Sequence, residues 1–471
     1  MGKTLSSPLF ICPLLTSSHN AFVVDCRITT GPKCKAYPRL NVIPRDKHCI
    51  SRKNISDSAL KVMSRLRSQG HQAYLVGGAV RDLLLGSNPK DFDIATDATP
   101  EEVHGLFRNS RIIGRRFRIV HVRFGREIIE VTTFRGHHEG GNEASPATGG
   151  SHSRQSDKGL LLRDNVYGTL EEDAVRRDLT VNALYYDSGK FEVFDHVNGL
   201  TDLEKRQICI IGEPAVRYRE DPVRMLRTVR FAAKLNFDIE QNTAKAIPAC
   251  AALLREIPSA RLFDEFLKLF LSGYAAATLE QLLEHDLLQF LFDETSHLLH
   301  QDAMSLALVR AAMANTDKRI ADDKPVTPAF ILAALLWPVV VRTAAQQENR
   351  GDPPMVAMHN ASQQTISEAS QQLSIPRRFS QPMREIWEFQ LRLQRRQGKK
   401  AAELVEHRRF RAAYDFLLLR EQAGEDTGDL GEWWTEYQTL DMDQRLAKSA
   451  EHNGKSGSRR RPRKRRNNQQ T

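Results

Sequence analysis

Asp91 and Asp93 are the residues of this 471-residue chain whose type and spacing point most directly to chemistry. They close the stretch that starts Leu75-Val-Gly-Gly-Ala-Val-Arg-Asp82 and ends Lys90-Asp-Phe-Asp-Ile-Ala-Thr-Asp97. The elements that must position them can be read from the same residues. Ala73 to Val76 is apolar and extended in character, and Gly77-Gly78 permits a sharp turn and close approach to a ligand. The helix predicted after that turn opens its free N–H groups there, a setting for an anion. A turn at Ser87–Pro89 leads to a second strand. Residues two apart on a strand share a face, so Asp91 and Asp93 are expected to point one way and Phe92 and Ile94 into a core. Paired carboxylates beside a phosphate cradle suit a divalent metal carrying a triphosphate. Each half alone has a plainer reading, as a turn or as a solvated strand edge.

Together, in this order, the two halves resemble the signature of the polymerase-beta-like nucleotidyltransferases. The wording Leu-Val-Gly-Gly-x-Val-Arg-Asp-Leu-Leu-Leu-Gly resembles the class that holds bacterial poly(A) polymerases and CCA-adding enzymes. The resemblance implies that Gly77, Gly78 and Arg81 steady a triphosphate and that Asp91 and Asp93 hold two Mg²⁺ ions. A third carboxylate is implied on a neighbouring strand. Phe117–Phe124 and Glu127–Phe134 alternate around Gly125-Arg126 and predict a hairpin. Its second strand carries Glu130 between Ile129 and Val131, where a carboxylate is costly unless salt-bridged or bound to metal. Arg115, Arg116 and Arg118, just before the hairpin, suit phosphate binding or a solvated positive edge equally.

Two further stretches resemble signatures of the same class. In Glu171-Glu-Asp-Ala-Val-Arg-Arg-Asp-Leu-Thr-Val-Asn182, the resemblance gives Arg177 a phosphate role and Asp178 and Asn182 the sugar or base environment. In Arg219-Glu-Asp-Pro-Val-Arg-Met-Leu-Arg-Thr-Val-Arg230, it assigns nucleotide contact to Asp221, Arg224, Arg227 and Arg230. Asp221 and Arg224, three apart on a predicted helix, are expected on one face. A carboxylate accepts from an exocyclic amine and a guanidinium donates to the adjacent ring nitrogen. Adenine and cytosine both offer that edge, whereas guanine and uracil mismatch it twice. The pair therefore leaves ATP and CTP undecided.

The net charge of +10 is mostly a tail, since residues 451–471 hold eight Lys/Arg and one acid. That segment cannot bury apolar surface and is expected to be disordered, with sequence-independent affinity for phosphates. Six cysteines form no CxxC pair, which fits a reduced, cytoplasmic protein and no common zinc site. No stretch reaches eighteen apolar residues; Pro328 to Val341, with Thr327 as N-cap and Pro328 at the first helical position, reads as a buried helix. A helix is predicted from Asp57, with Leu60, Met63 and Leu66 on one face and Gly70 ending it. Thr99-Pro-Glu-Glu102 is a capping box. Residues 136–159 are Gly/Ser/His-rich and read as a mobile loop, with His137, His138 and His152 discounted as zinc ligands.

From Ala244 the apolar spacing is helical throughout. His285-Asp286 resembles the HD phosphohydrolase dipeptide but lacks partner ligands. Helices around 382–397 and 402–422 interleave Arg and Lys with Trp387, Phe389, Phe410 and Tyr414, which suits a single-stranded RNA track or ordinary amphipathic core helices. The expected architecture is α+β. A disordered extension (1–53) precedes a mixed-sheet nucleotidyltransferase head (54–200). A helical neck (201–275), a helical RNA-binding body (276–448) and the basic tail (449–471) follow.

The Gly-Arg-Arg-Phe-Arg and Ile-Pro-Ser-Ala-Arg-Leu-Phe-Asp-Glu stretches, the Arg-rich tail and the missing HD domain resemble the poly(A)-polymerase branch. That implies template-independent AMP transfer from ATP to RNA 3′ ends, with contact to RNA-degradation machinery. CCA addition to tRNA is the alternative, and a catalytically silent RNA-binding protein a more remote one.

Overall fold

A computed structural model describes residues 40–114, 118–136, 154–155, 161–163 and 166–455, with side chains described no further than residue 450. The expectations for Arg115, Arg116, the three histidines of 136–159 and the tail beyond 455 lie outside these residues. The chain divides into two compact units, up to Leu254 and from Arg255 onward. The segment read as a neck is thus split, most of it belonging with the sheet.

In the first unit, β1 (Asn41–Ile43) precedes α1 (Asp57–Ser68), β2 (Ala73–Val76), α2 (Gly78–Leu84), β3 (Asp93–Thr96) and α3 (Pro100–Leu106). Then come β4 (Ser110–Ile113), β5 (Ile119–Phe124), β6 (Glu127–Thr133), the short pair β7 (Arg154–Gln155) and β8 (Leu161–Arg163), and α4 (Leu170–Arg176). The unit continues with β9 (Leu184–Asp187), β10 (Glu192–Asp195), α5 (Gly199–Glu204), β11 (Gln207–Ile208), α6 (Pro214–Glu220), α7 (Val223–Leu235), β12 (Asp238–Ile239) and α8 (Gln241–Cys250).

Eight strands form one sheet in the order β1-β10-β9-β2-β3-β6-β5-β4. Every neighbouring pair is antiparallel except β3 and β6. α1 is capped by Ser56 and buries Ala59, Val62, Met63 and Leu66, a helical stripe, before Gly70 turns the chain at φ +89°. The Thr99 capping box forms with Glu102. Residues 41–43, expected in a disordered extension, instead pair with β10 through Val42 and Phe194. Three residues sufficed because Phe194 and its neighbours offer a ready partner; so short a strand leaves no periodicity to read.

His196, just past β10, is buried and its Nε2 has no hydrogen-bond partner. Burial pushes its pKa from 6.5 down to about 4. A lowered folded-state pKa means the stability it confers is whole above about pH 6.5 and drains away toward pH 4. We expect His196→Phe to flatten the acid side of the thermal-melt profile between those values, by up to about 3 kcal/mol; an unchanged slope would contradict this.

The second unit is helical: α9 (Ser259–Phe270), α10 (Ala275–Glu284), α11 (Asp293–Gln301), α12 (Ala303–Ala321), α13 (Pro328–Asn349) and α14 (Pro354–Leu373). After these come α15 (Arg377–Leu393), α16 (Gly398–Glu406), α17 (Phe410–Gln422), α18 (Leu430–Tyr437) and α19 (Met442–Lys455). α13 runs on through Pro338 and is, by length and composition, apolar enough to cross a membrane, although 67% of its most apolar window is buried within the fold. It packs against α14 and α15, and Trp387 of α15 donates its indole N–H to Ala333 O at 3.0 Å. α15 likewise contains Pro382 in its interior, and the helix expected at 402–422 is broken near Arg409.

Trp387, Phe389, Phe410 and Tyr414 are all buried, three of them in one cluster with Trp433 and Trp434. Of the two readings of this region, the amphipathic core is the one the aromatics obey. His285 caps α10 and Asp286 takes φ +52° in the turn after it, so the HD dipeptide is helix-end geometry.

Candidate active site

Gly77 is the N-cap of α2 at φ +72°, a conformation that side chains other than glycine's rarely adopt. A Cβ there would lie 3.7 Å from Arg177 Nη1 and 3.9 Å from Asn182 O. The glycine turn of the first signature therefore sits beneath the arginine of the second. Arg177 is held in place by two acceptors. Its Nη2 donates to Asp173 Oδ2 at 3.0 Å and its Nε to the Tyr185 hydroxyl at 2.9 Å. Tyr185 in turn donates to the same Asp173 oxygen at 2.6 Å.

The acids meet at the one parallel pair of the eight-stranded sheet. β3 and β6 align with Asp93 opposite Glu130, so both Cβ atoms project from the same face. Burial, then the charge of Glu130, raises the Asp93 carboxyl to about 6; Arg177 opposes this and Asp91 adds to it. Asp91 itself is exposed and lies outside the strand, which corrects the expected Asp-x-Asp strand pair. On the β2 side the ladder stops at the same level: β2 ends at Val76 opposite Asp93, and Gly77 then turns the chain away. Glu130 is not a buried carboxylate either. Its side chain is nearly half exposed and bonds His121 Nε2 across the hairpin at 3.1 Å.

Arg81 departs most from expectation. It is 1% exposed, donates to Asp82 Oδ1 from Nε at 2.7 Å and from Nη2 at 2.6 Å, and gives Nη1 to Asn182 Oδ1. Its guanidinium also lies 5.1 Å over the Phe231 ring. Buried and engaged by Asp82 and Asn182, it positions Asn182. Gly78 has Arg81 Nη2 3.5 Å from where its Cβ would be.

The third signature docks on the second. Asp178 accepts from Arg224 Nε at 2.6 Å and from Arg227 Nη1. Burial alone would raise the Asp178 carboxyl, but these two guanidiniums hold it well below the usual carboxylate range. Arg224 is buried, and its Nη1 donates to Glu220 Oε2 and Arg217 O, each at 2.8 Å. Arg217 Nη2 reaches back to the carbonyls of Arg176 and Arg177 at 2.6 and 2.8 Å.

Asp221 is buried at the break between α6 and α7, ahead of Pro222, and so is not on one helix with Arg224. The salt bridge of Arg224 runs to Glu220 and Asp178. Arg230 stacks at 4.4 Å on Phe231. Arg118, the described member of the trio before the hairpin, pairs with Glu101 at 2.5 Å.

Asp173, Tyr185, Arg217 and Glu220 went unread in the sequence. Spacing held the clue for three of them: Asp173 to Arg177 is i,i+4, and Arg217, Glu220 and Arg224 follow at i+3 and i+4. Among the described residues, no group of three or more His, Cys, Asp or Glu forms a ligand set by itself. Magnesium needs none, since it is commonly held by one or two carboxylates with water and substrate phosphate oxygens. The raised Asp93 carboxyl, crowded by Glu130 and Asp91, is a donor set that a cation would relieve.

The fold and this site define a nucleotidyltransferase. Residues 73–209 match the family described as the poly A polymerase head domain. Residues 236–299 match its probable RNA and SrmB-binding site, and 350–468 its arginine-rich C-terminus. The chain is 49% identical to poly(A) polymerase I of Salmonella typhimurium (strain LT2), over 86% of its own length and 87% of that protein's. It is 37% identical to the CCA-adding enzyme of Bacillus pumilus (strain SAFR-032), over 48% of this chain and 52% of that protein. A solved tRNA-processing enzyme, at 20% identity, shares the fold with a TM-score of 0.56 over 86% of this chain and 98% of its own. The chain belongs to the bacterial poly(A) polymerase family.

Proposed function

We propose that this nucleotidyltransferase adds AMP from ATP to RNA 3′ ends without a template. The observation that carries the proposal is the convergence of three distant signatures on one spot: the Gly77 turn, the Asp93–Glu130 pair, and Arg177 and Asp178 with Arg224. Asp91 and Asp93, with Glu130 adjoining, would hold two Mg²⁺ ions. Bound there, the metal supplies activation of the RNA 3′-hydroxyl and charge neutralisation on the leaving pyrophosphate.

The chain's own residues do the rest. The open backbone at Gly77 and Gly78 and the guanidinium of Arg177 receive the triphosphate. Asn182, fixed by Arg81, faces the sugar. Arg224 is locked by Asp178, Glu220 and a carbonyl through Nε and Nη1, which leaves Nη2 to donate to the ring nitrogen of adenine. Asp221 would accept from the exocyclic amine. Arg227 holds Asp178 from the other side, and Arg230 extends the positive wall. Such tailing would mark cytoplasmic RNA for turnover, through contact with degradation machinery.

CCA addition uses the same base edge, and the resemblance over the greater part of the chain to a poly(A) polymerase favours adenylation. Incubation with a tRNA lacking its terminus and with each NTP alone separates the two. Long A-only tails are expected, and a defined C-C-A stop would replace this reading.

A further inference from the structure

Within the helical unit, residues of α14, α15 and α16 line an open cavity of about 710 Å³. Its lining is mixed. Met355, Val356 and Leu404 supply apolar surface; Arg392, Arg395 and Lys400 supply cations. Val356 is 46% exposed. Arg395 and Lys400 are exposed, and neither enters an ion pair among the described residues. Glu388, on the same wall, is already engaged by His359 Nδ1 at 2.8 Å, and Glu403 is exposed to solvent. Arg392 rests 5.4 Å over the Phe389 ring, which fixes its guanidinium.

We propose that this cavity binds a nucleotide within the single-stranded RNA, its base against Met355, Val356 and Leu404 and its phosphates on Arg395 and Lys400. The proposal rests on the RNA-tailing reading and deepens it, by giving the helical unit a binding site of its own. The volume is that of a small-molecule site, and apolar surface combined with cations is what a nucleotide's base and phosphates require.

Two observations favour a chain of nucleotides over a free one. Lys399, next to Lys400 in sequence, and Arg408 are also exposed, Arg408 pairing with Glu385 at 3.4 Å. In addition, the chain carries the basic run Arg459-Arg-Arg-Pro-Arg-Lys-Arg-Arg466. A run of phosphates uses that field, whereas a mononucleotide has no call on it.

The test uses the full chain and fluorescently labelled oligoadenylate. The double variant Arg395→Glu with Lys400→Glu, both at exposed positions, should weaken RNA binding by about tenfold or more. The slope of log affinity against log salt should fall by about 1.4, the value for two phosphate contacts on a single strand. The variant Val356→Glu should weaken binding without changing that slope. In both, KM for ATP should stay at the wild-type value and the melting temperature should hold.

Unchanged RNA affinity in both variants would overturn the proposal, as would a changed affinity for ATP with RNA binding intact, which would mark a free-nucleotide site. Should the wild type extend no RNA with any NTP, the tailing reading falls. The binding comparison would still decide the cavity by itself.

Discussion

Asp93→Asn should abolish AMP addition, by on the order of 10³-fold or more, while the metal-free protein melts no earlier than the wild type. The rate loss follows from removing the carboxylate best placed to share a cation with the substrate phosphates, an effect of several kcal/mol. The stability forecast follows from the sign of the shift. The folded-state carboxyl sits near 6, above its ordinary value of 3.8. A raised carboxyl confers stability at acid pH and loses it as pH rises through about 6, so near neutrality the ionised group is a burden.

Asparagine removes the charge and the burden together. The expected gain is about 1–2 kcal/mol at pH 7.5 after allowance for partial exposure, shrinking to nothing below about pH 4. Magnesium should raise the melting temperature of the wild type and leave that of the variant where it was. Thermal melts at several pH values, beside a tailing assay, check all three. Intact tailing by Asp93→Asn would remove the carboxylate assignment outright.

The second large effect is expected at Arg224. Arg224→Ala strips one guanidinium from two carboxylates at once, those of Asp178 and Glu220, in a site where Arg224 itself is buried. Breaking such a pair costs about 3–5 kcal/mol, because the acids left behind stay poorly hydrated. Arg227 still holds Asp178, which places the forecast toward the lower figure.

Arg224→Lys separates folding from recognition. Lysine keeps the charge but cannot serve Asp178, Glu220, the Arg217 carbonyl and a base in one planar arrangement. It should fold with a smaller loss and discriminate ATP from GTP about 10²-fold less well. Urea titrations and kcat/KM for each NTP give the two numbers. Undiminished discrimination in the lysine variant would show that Arg224 only braces the site.

The features legible beforehand were those governed by local rules. The α1 stripe, the Thr99 capping box, the hairpin around Gly125 and the left-handed Gly77 all follow from neighbours within a few residues. What stayed hidden depends on partners far along the chain. Asp91 lies outside β3, and the Arg81 guanidinium is engaged by Asp82, by Asn182 a hundred residues on and by Phe231. Pro338 and Pro382 look like helix breakers, yet α13 and α15 run through both. Trp387 and Phe410 match an RNA-stacking composition as well as a core one, and only burial separates the two.

The short β1 has a practical meaning. A chain begun at residue 54, where an apparent extension gives way to clear periodicity, would strip the cover from β10. It would leave Val193 to Asp195 with backbone amides and carbonyls facing water along an open border. Borders of that kind recruit strands from other molecules, so a shortened protein cut there invites self-association whatever becomes of its catalysis.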